Sequence, residues 1–145
     1  MNMYKPISDD LIRQIQSRAI KEPNILSVYL FGSLPKGYAG RESDLDLAVV
    51  VGDRRIINTD DIFDVFLPIT FPKEADISVV DKQSSPLLLY EIVSGGKRIY
   101  TKSMDLANTF EAYALDTYYD THHLRNIYRM YLKESLEKGT YGYKA

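Results

Sequence analysis

Asp44 and Asp46 stand one residue apart at the head of the apolar run "DLDLAVVV" (Asp44–Val51), and Gly32-Ser33 closes the apolar run before it, "ILSVYLF" (Ile25–Phe31). Side chains of a strand alternate between faces, so Asp44 and Asp46 point the same way, followed by Ala48 and Val50. Two carboxylates on one face repel unless a cation neutralises them. Hard oxygen donors suit Mg²⁺, which takes one or two carboxylates and leaves its other positions to substrate phosphates and water. Gly32-Ser33 supplies the complement. Glycine lets the backbone approach a ligand closely, free N–H groups at a helix start face an anion, and the Ser33 hydroxyl adds a hydrogen bond. Lys36, in the same loop, can neutralise a further phosphate oxygen. A phosphate cradle beside paired carboxylates is apparatus for phosphoryl or nucleotidyl transfer. Two metals sharing the site call for a third carboxylate. Asp76 is the candidate, at the head of "ADISVVD" with Ser78 on its face; Asp81 lies at the far end of that run, and Glu74 joins only if it is already extended.

Positioning these groups requires two neighbouring strands and the turn between them. Ser8-Asp9-Asp10 reads as a helix start with acids near its positive end, and Leu11, Ile12, Ile15 and Ala19 recur at helical spacing. Pro23-Asn24 stops that helix before the first strand, Ile25–Phe31. Gly37 and Gly40 punctuate a short helical turn and loop that lead to the second strand, Asp44–Val51. Asp60–Ile69 is helical with a ragged end at Pro68, and Ala75–Asp81 is the third strand. Ser85-Pro86 opens a helix through Val93, Gly95-Gly96 closes it in the usual C-terminal manner, and Lys97–Thr101 is a short edge strand. From Asp105 to Lys138 the pattern is helical. Its middle, "TYYDTHH", is poor in helix formers and leaves one kinked helix and two short ones both open. The order α-β-β-α-β-α-β-α predicts an α/β (α+β) fold, a small mixed sheet covered by helices with a C-terminal helical segment. The expectation is a single domain over residues 1–145, its core at 8–102 and its helical segment at 105–138.

Bulk properties narrow the class. The chain has 145 residues, 45% apolar and 26% charged, with no cysteine, which excludes disulfides and thiolate metal sites. The first ten residues lack a signal-peptide pattern, and the longest apolar run, Leu47–Val51, is far too short to span a bilayer. A soluble cytoplasmic protein is expected. Residues 44–81 hold nine acids against three bases, whereas residues 1–43 hold six bases and four acids, and residues 97–145 eight and six. No basic stripe of the kind that nucleic-acid binders carry is visible, so no direct nucleic-acid binding is expected. The acidic middle suits a bound cation.

The stretch Gly32-Ser33 … Asp44-Leu45-Asp46 resembles the signature of the DNA-polymerase-β-like nucleotidyltransferase superfamily. "ADISVVDKQSSPLLLYEIVSGGKRIYTK" (Ala75–Lys102) is similar to the segment that follows the third carboxylate in MNT-type minimal nucleotidyltransferases, and "FEAYALDTYYD" (Phe110–Asp120) to their C-terminal helix. The resemblance covers roughly residues 25–120. It implies the polymerase-β-like nucleotidyltransferase fold and the antitoxin half of a HEPN–MNT toxin–antitoxin pair. Such a protein transfers AMP from its co-substrate ATP, with two Mg²⁺ ions, to a tyrosine of a partner HEPN ribonuclease toxin and so silences it. By position, Gly32 and Ser33 would bind the triphosphate and Asp44 and Asp46 would hold the metals. Asp76 would ligate the catalytic ion and help to activate the tyrosine oxygen. Leu34 stands where family members often carry arginine after Gly-Ser, a role that would shift to Lys36 or Arg41.

Twelve tyrosines are present, and those from Tyr113 onward suit both helix packing and a partner-binding surface. His122-His123 are adjacent, so they cannot both face one metal from a helix, and a surface or helix-terminus role is expected. Neither histidine follows an arginine at the short spacing of the HEPN ribonuclease motif, so the chain does not read as the toxin. Arg54-Arg55 read as loop charges. Two other functions stay open: nucleotide transfer onto a small hydroxylated molecule, as in aminoglycoside-modifying relatives, and a non-catalytic antitoxin that blocks its partner by binding.

Overall fold

A computed structural model describes residues 8–31, 45–71 and 75–137. Ser8 caps the first helix, its side chain accepting from the Leu11 N–H at 3.1 Å. That helix, α1 (Asp9–Ala19), turns Leu11, Ile15 and Ala19 into the core. Then follow β1 (Ile25–Phe31), β2 (Leu45–Val51), α2 (Thr59–Val65), β3 (Ala75–Val80), α3 (Pro86–Gly95), β4 (Lys97–Thr101) and α4 (Met104–Glu137). The order of elements is the one expected from the sequence.

The four strands form one sheet in the order β3-β2-β1-β4. β1 pairs antiparallel with β2 and with β4, whereas β2 and β3 run parallel. β4 is at an edge, as its brevity suggested. Leu45, Leu47, Val49 and Val51 pack with α1 and α2 residues on one face, and Ala48 and Val50 pack with Leu89, Ile92, Phe110 and Ala114 on the other. Covering on both faces is why Leu47–Val51 of β2 reads as an unbroken apolar run.

Three local features depart from the sequence reading. The helix expected over Asp60–Ile69 ends at Val65, followed by a turn through Pro68; proline disfavours the helical conformation of its predecessor and offers no N–H to continue the ladder. The C-terminal segment is one continuous helix of 34 residues. Its weak middle is held by one contact to α3, Tyr118 stacked on Tyr90 at 3.9 Å, and by one within the helix, the Arg125 guanidinium 4.0 Å from the Tyr118 ring. Gly96 does cap α3, but its φ is −96°, an extended conformation open to any residue. Glycine is required there by close approach, because an added Cβ would lie 2.3 Å from the Ile92 carbonyl oxygen and 2.7 Å from that of Leu30. Among the described residues no helix is long and apolar enough to cross a membrane.

Candidate active site

The parallel pairing of β2 with β3 places Asp46 and Asp76 in register, followed by Ala48 with Ser78 and Val50 with Val80. Ala48, Val50 and Val80 are buried under α3 and α4, so both carboxylates belong to that face. They lie at its rim, where Asp46 is half-buried and Asp76 exposed. The row behind them is Ala48 and Ser78, small side chains. Across the antiparallel pair, Phe31 is the register partner of Asp46. The last residue of β1, Phe31, therefore lies beside the same carboxylate. Gly96 packs against Leu30 and Phe31 from above and so buttresses the end of β1.

Gly32, Ser33, Leu34, Lys36, Arg41, Asp44 and Glu74 lie outside the described residues. Among the described residues no three His, Cys, Asp or Glu side chains gather into a metal-binding group. Asp46 and Asp76 make a pair, and two hard oxygen donors on adjacent strands fit the one or two carboxylates that Mg²⁺ takes. The structure thus brings together two acids separated by 30 residues of sequence.

Asp81 is a structural carboxylate. It is 2% exposed, accepts from the backbone N–H groups of Arg54 at 2.8 Å and Gln83 at 2.8 Å, and lies 3.7 Å from Arg54 Nε. Arg54 also donates to the Val79 carbonyl at 3.3 Å, while Arg55 pairs with Asp53 at 3.0 Å. These two arginines brace the loop after β2, in keeping with their reading as loop charges. His122 is exposed, its ring 3.1 Å from the Asn126 amide.

One half-buried polar network has no counterpart in the sequence reading. Tyr29, in the middle of β1, is 2% exposed and is the register partner of Ala48 on one side and Arg98 on the other. Its hydroxyl donates to Glu111 Oε2 at 2.5 Å, and Arg98 donates to the same oxygen at 2.7 Å. A single carboxylate oxygen thereby ties β1, β4 and α4 together, one row behind the Asp46 and Asp76 pair. Burial, reinforced by the Glu111 carboxylate, pushes the Tyr29 phenol well above its ordinary pKa of 10.0. The three residues are 82 and 13 positions apart, and no local pattern signals them.

Comparison with known proteins agrees with this fold. The family model described as polymerase beta, nucleotidyltransferase matches residues 13–105. The protein adenylyltransferase MntA of Shewanella oneidensis is 30% identical over 86 residues, which span 57% of this chain and 59% of that protein. Less than two thirds of that relative's length is therefore matched. A crystal structure of a toxin–antitoxin with AMP-PNP superposes with a TM-score of 0.62 at 21% identity, covering 86% of this chain and 98% of the other. A tri-AMPylated Shewanella oneidensis HEPN toxin in complex with MNT antitoxin contains a chain that superposes with a TM-score of 0.58 at 17% identity, covering 94% of this chain and 99% of that one. These likenesses bear out the expected fold.

Proposed function

The chain belongs to the polymerase beta nucleotidyltransferase family, and from that premise we propose that it is an adenylyltransferase antitoxin, moving AMP from ATP to a tyrosine of a partner HEPN ribonuclease and so neutralising it. The observation that carries this reading is the register of Asp46 with Asp76 at the sheet end where β1 finishes at Phe31. The name of the Shewanella relative and the AMP-PNP and AMPylated-toxin complexes of the structural neighbours support the same chemistry.

Asp46 and Asp76, with Asp44 beside them in sequence, are the residues that would hold Mg²⁺. When bound, the metal supplies charge neutralisation for the triphosphate and its departing pyrophosphate. The chain's own groups do the rest. Gly32 and Ser33, with Lys36, would seat the phosphate tail. The sheet rim holds the carboxylates in fixed positions, so that placement and electrostatics need no reorganisation during transfer. The acceptor phenol oxygen bonds to the α-phosphorus, the bond to pyrophosphate breaks in line, and the phenol proton passes toward the Asp76 carboxylate. Deprotonation needs that help because a tyrosine hydroxyl titrates near pH ~10.

The test is transfer of label from α-labelled ATP to a HEPN ribonuclease encoded beside this chain, in the presence of Mg²⁺. Wild type should label the partner, whereas Asp46→Asn, Asp76→Asn and excess chelator should each abolish labelling. Partner neutralisation that persists in Asp46→Asn without label would assign the effect to contact alone. Label on a small hydroxylated acceptor but never on protein would redirect the chemistry to that class.

A further inference from the structure

The apolar stripe by which α4 packs on the sheet outruns the sheet. Ala107, Phe110 and Ala114 are buried, and the same alternation of three- and four-residue steps continues through Thr117, Thr121, Leu124, Tyr128 and Tyr131. There the stripe is open: Leu124 is 64% exposed, Tyr128 60% and the adjoining Ile127 50%. It is buried again at Ser135. A repeat of 3.5 residues keeps one seam of a helix facing a second helix, as in coiled coils. A shallow, open cleft of about 340 Å³ lies on this seam, lined by Thr121, Leu124, Arg125, Tyr128 and Arg129. One wall is already rigid. Arg125 lies over the Tyr118 ring, donates to the Thr121 hydroxyl and donates to the Tyr118 carbonyl at 2.9 Å, so little side-chain freedom remains to be lost on binding.

Charge selects the occupant. From Thr121 to Lys133 the sequence has three bases, Arg125, Arg129 and Lys133, and no acid, in a chain of net charge −2. The three recur every fourth residue and flank the seam. A second copy of α4 centred on this seam, parallel or antiparallel, would set these cations against one another. Nucleic acid would find the cations and the rings of Tyr128 and Tyr131, but the exposed Leu124 and Ile127 beside them are aliphatic and add no face on which a base can stack, so the seam suits an apolar helix better. An amphipathic helix with acidic flanks satisfies both the seam and the charges.

We propose that the α4 seam from Thr121 to Tyr131 docks an acidic amphipathic helix of the protein that accepts AMP, an inference that rests on the adenylyl-transfer reading above. The full-length chain and its HEPN partner provide the test, with two independent variants, Leu124→Asp and the double variant Arg129→Glu/Lys133→Glu. Each should weaken the complex seen by sedimentation and raise the KM for the protein acceptor about tenfold or more, the usual effect of losing a central contact. The KM for ATP and the melting temperature should stay at wild-type values. Wild-type acceptor KM should rise with ionic strength, and the double variant should lose that dependence. Unchanged acceptor KM and unchanged sedimentation would overturn the proposal. So would a dimer of the chain alone that Leu124→Asp dissociates, or retention of a labelled RNA that the double variant loses. Absence of any label on the partner with wild type would instead sink the transfer reading, while sedimentation without ATP would still report on the seam.

Discussion

Replacing Gly96 with alanine tests how the end of β1 is held. The new methyl would lie 2.3 Å from the Ile92 carbonyl oxygen, 2.7 Å from the Leu30 carbonyl oxygen and 3.2 Å from Phe31 Cβ. Two of the three are backbone atoms and cannot rotate away. Because φ is −96°, the penalty is steric and not conformational. Relief requires the end of α3 to lift from β1, which also strains the hydrogen bond from the Gly96 N–H to Ile92 at 3.0 Å. Overpacking of this kind costs about 1–3 kcal/mol, and a lost hydrogen bond adds about 1 kcal/mol. The sum, roughly 2–4 kcal/mol, corresponds to a fall in Tm of about 6–12 °C for a chain of this size. Phe31 is the register partner of Asp46, so the displacement reaches the site and kcat should fall more than the folded fraction does. Equilibrium urea unfolding followed by circular dichroism measures the first effect and labelled-ATP transfer the second. Gly52→Ala is the matched control: nothing lies within 4 Å of its added Cβ and its backbone conformation is ordinary. It should be neutral or stabilising by up to about 1 kcal/mol, through the unfolded chain. A Gly96→Ala protein within about 0.5 kcal/mol of wild type would refute the close-approach argument.

The remaining predictions concern single side chains. Tyr29→Phe should remove an alkaline component of stability. The fold raises the Tyr29 pKa above 10.0, so its contribution is complete below that pH and is lost as pH rises beyond it; urea midpoints should fall more steeply above pH ~10 in wild type than in Tyr29→Phe. Asp76→Asn should lower the transfer rate about 100-fold or more while the unfolding midpoint stays near wild type, since the residue is exposed. Asp81→Ala should do the reverse. It strands the N–H groups of Arg54 and Gln83 and should cost about 2–3 kcal/mol, with specific activity of the folded fraction unchanged in the same labelling assay.

The proposed chemistry is read from local patterns. Gly-Ser after one apolar run and Asp-x-Asp at the head of the next are short patterns whose proposed roles follow from strand alternation alone. Ser8 and Ser85 each announce a helix start, and both side chains accept from the N–H three residues on, Leu11 at 3.1 Å and Leu88 at 3.5 Å. Asp81 shows the limit. By type and position in the strand it was a candidate acid, and only its burial in a turn with Arg54 marks it as structural.

By itself the sequence determined the order of helices and strands, the bounds of β1 and β4, and the two acidic strand heads, because caps, turns and alternation are properties of neighbours in the chain. The tertiary structure decided which strand lies beside which. Parallel pairing of β2 with β3 is what sets Asp76 against Asp46, and no local pattern encodes a partner 30 residues away. It also decided that α4 is a single helix, through the stack of Tyr118 on Tyr90. Finally, it joined Tyr29, Arg98 and Glu111 on one carboxylate oxygen. Burial gives that contact its strength, and burial exists only once the sheet and its helices have closed over it.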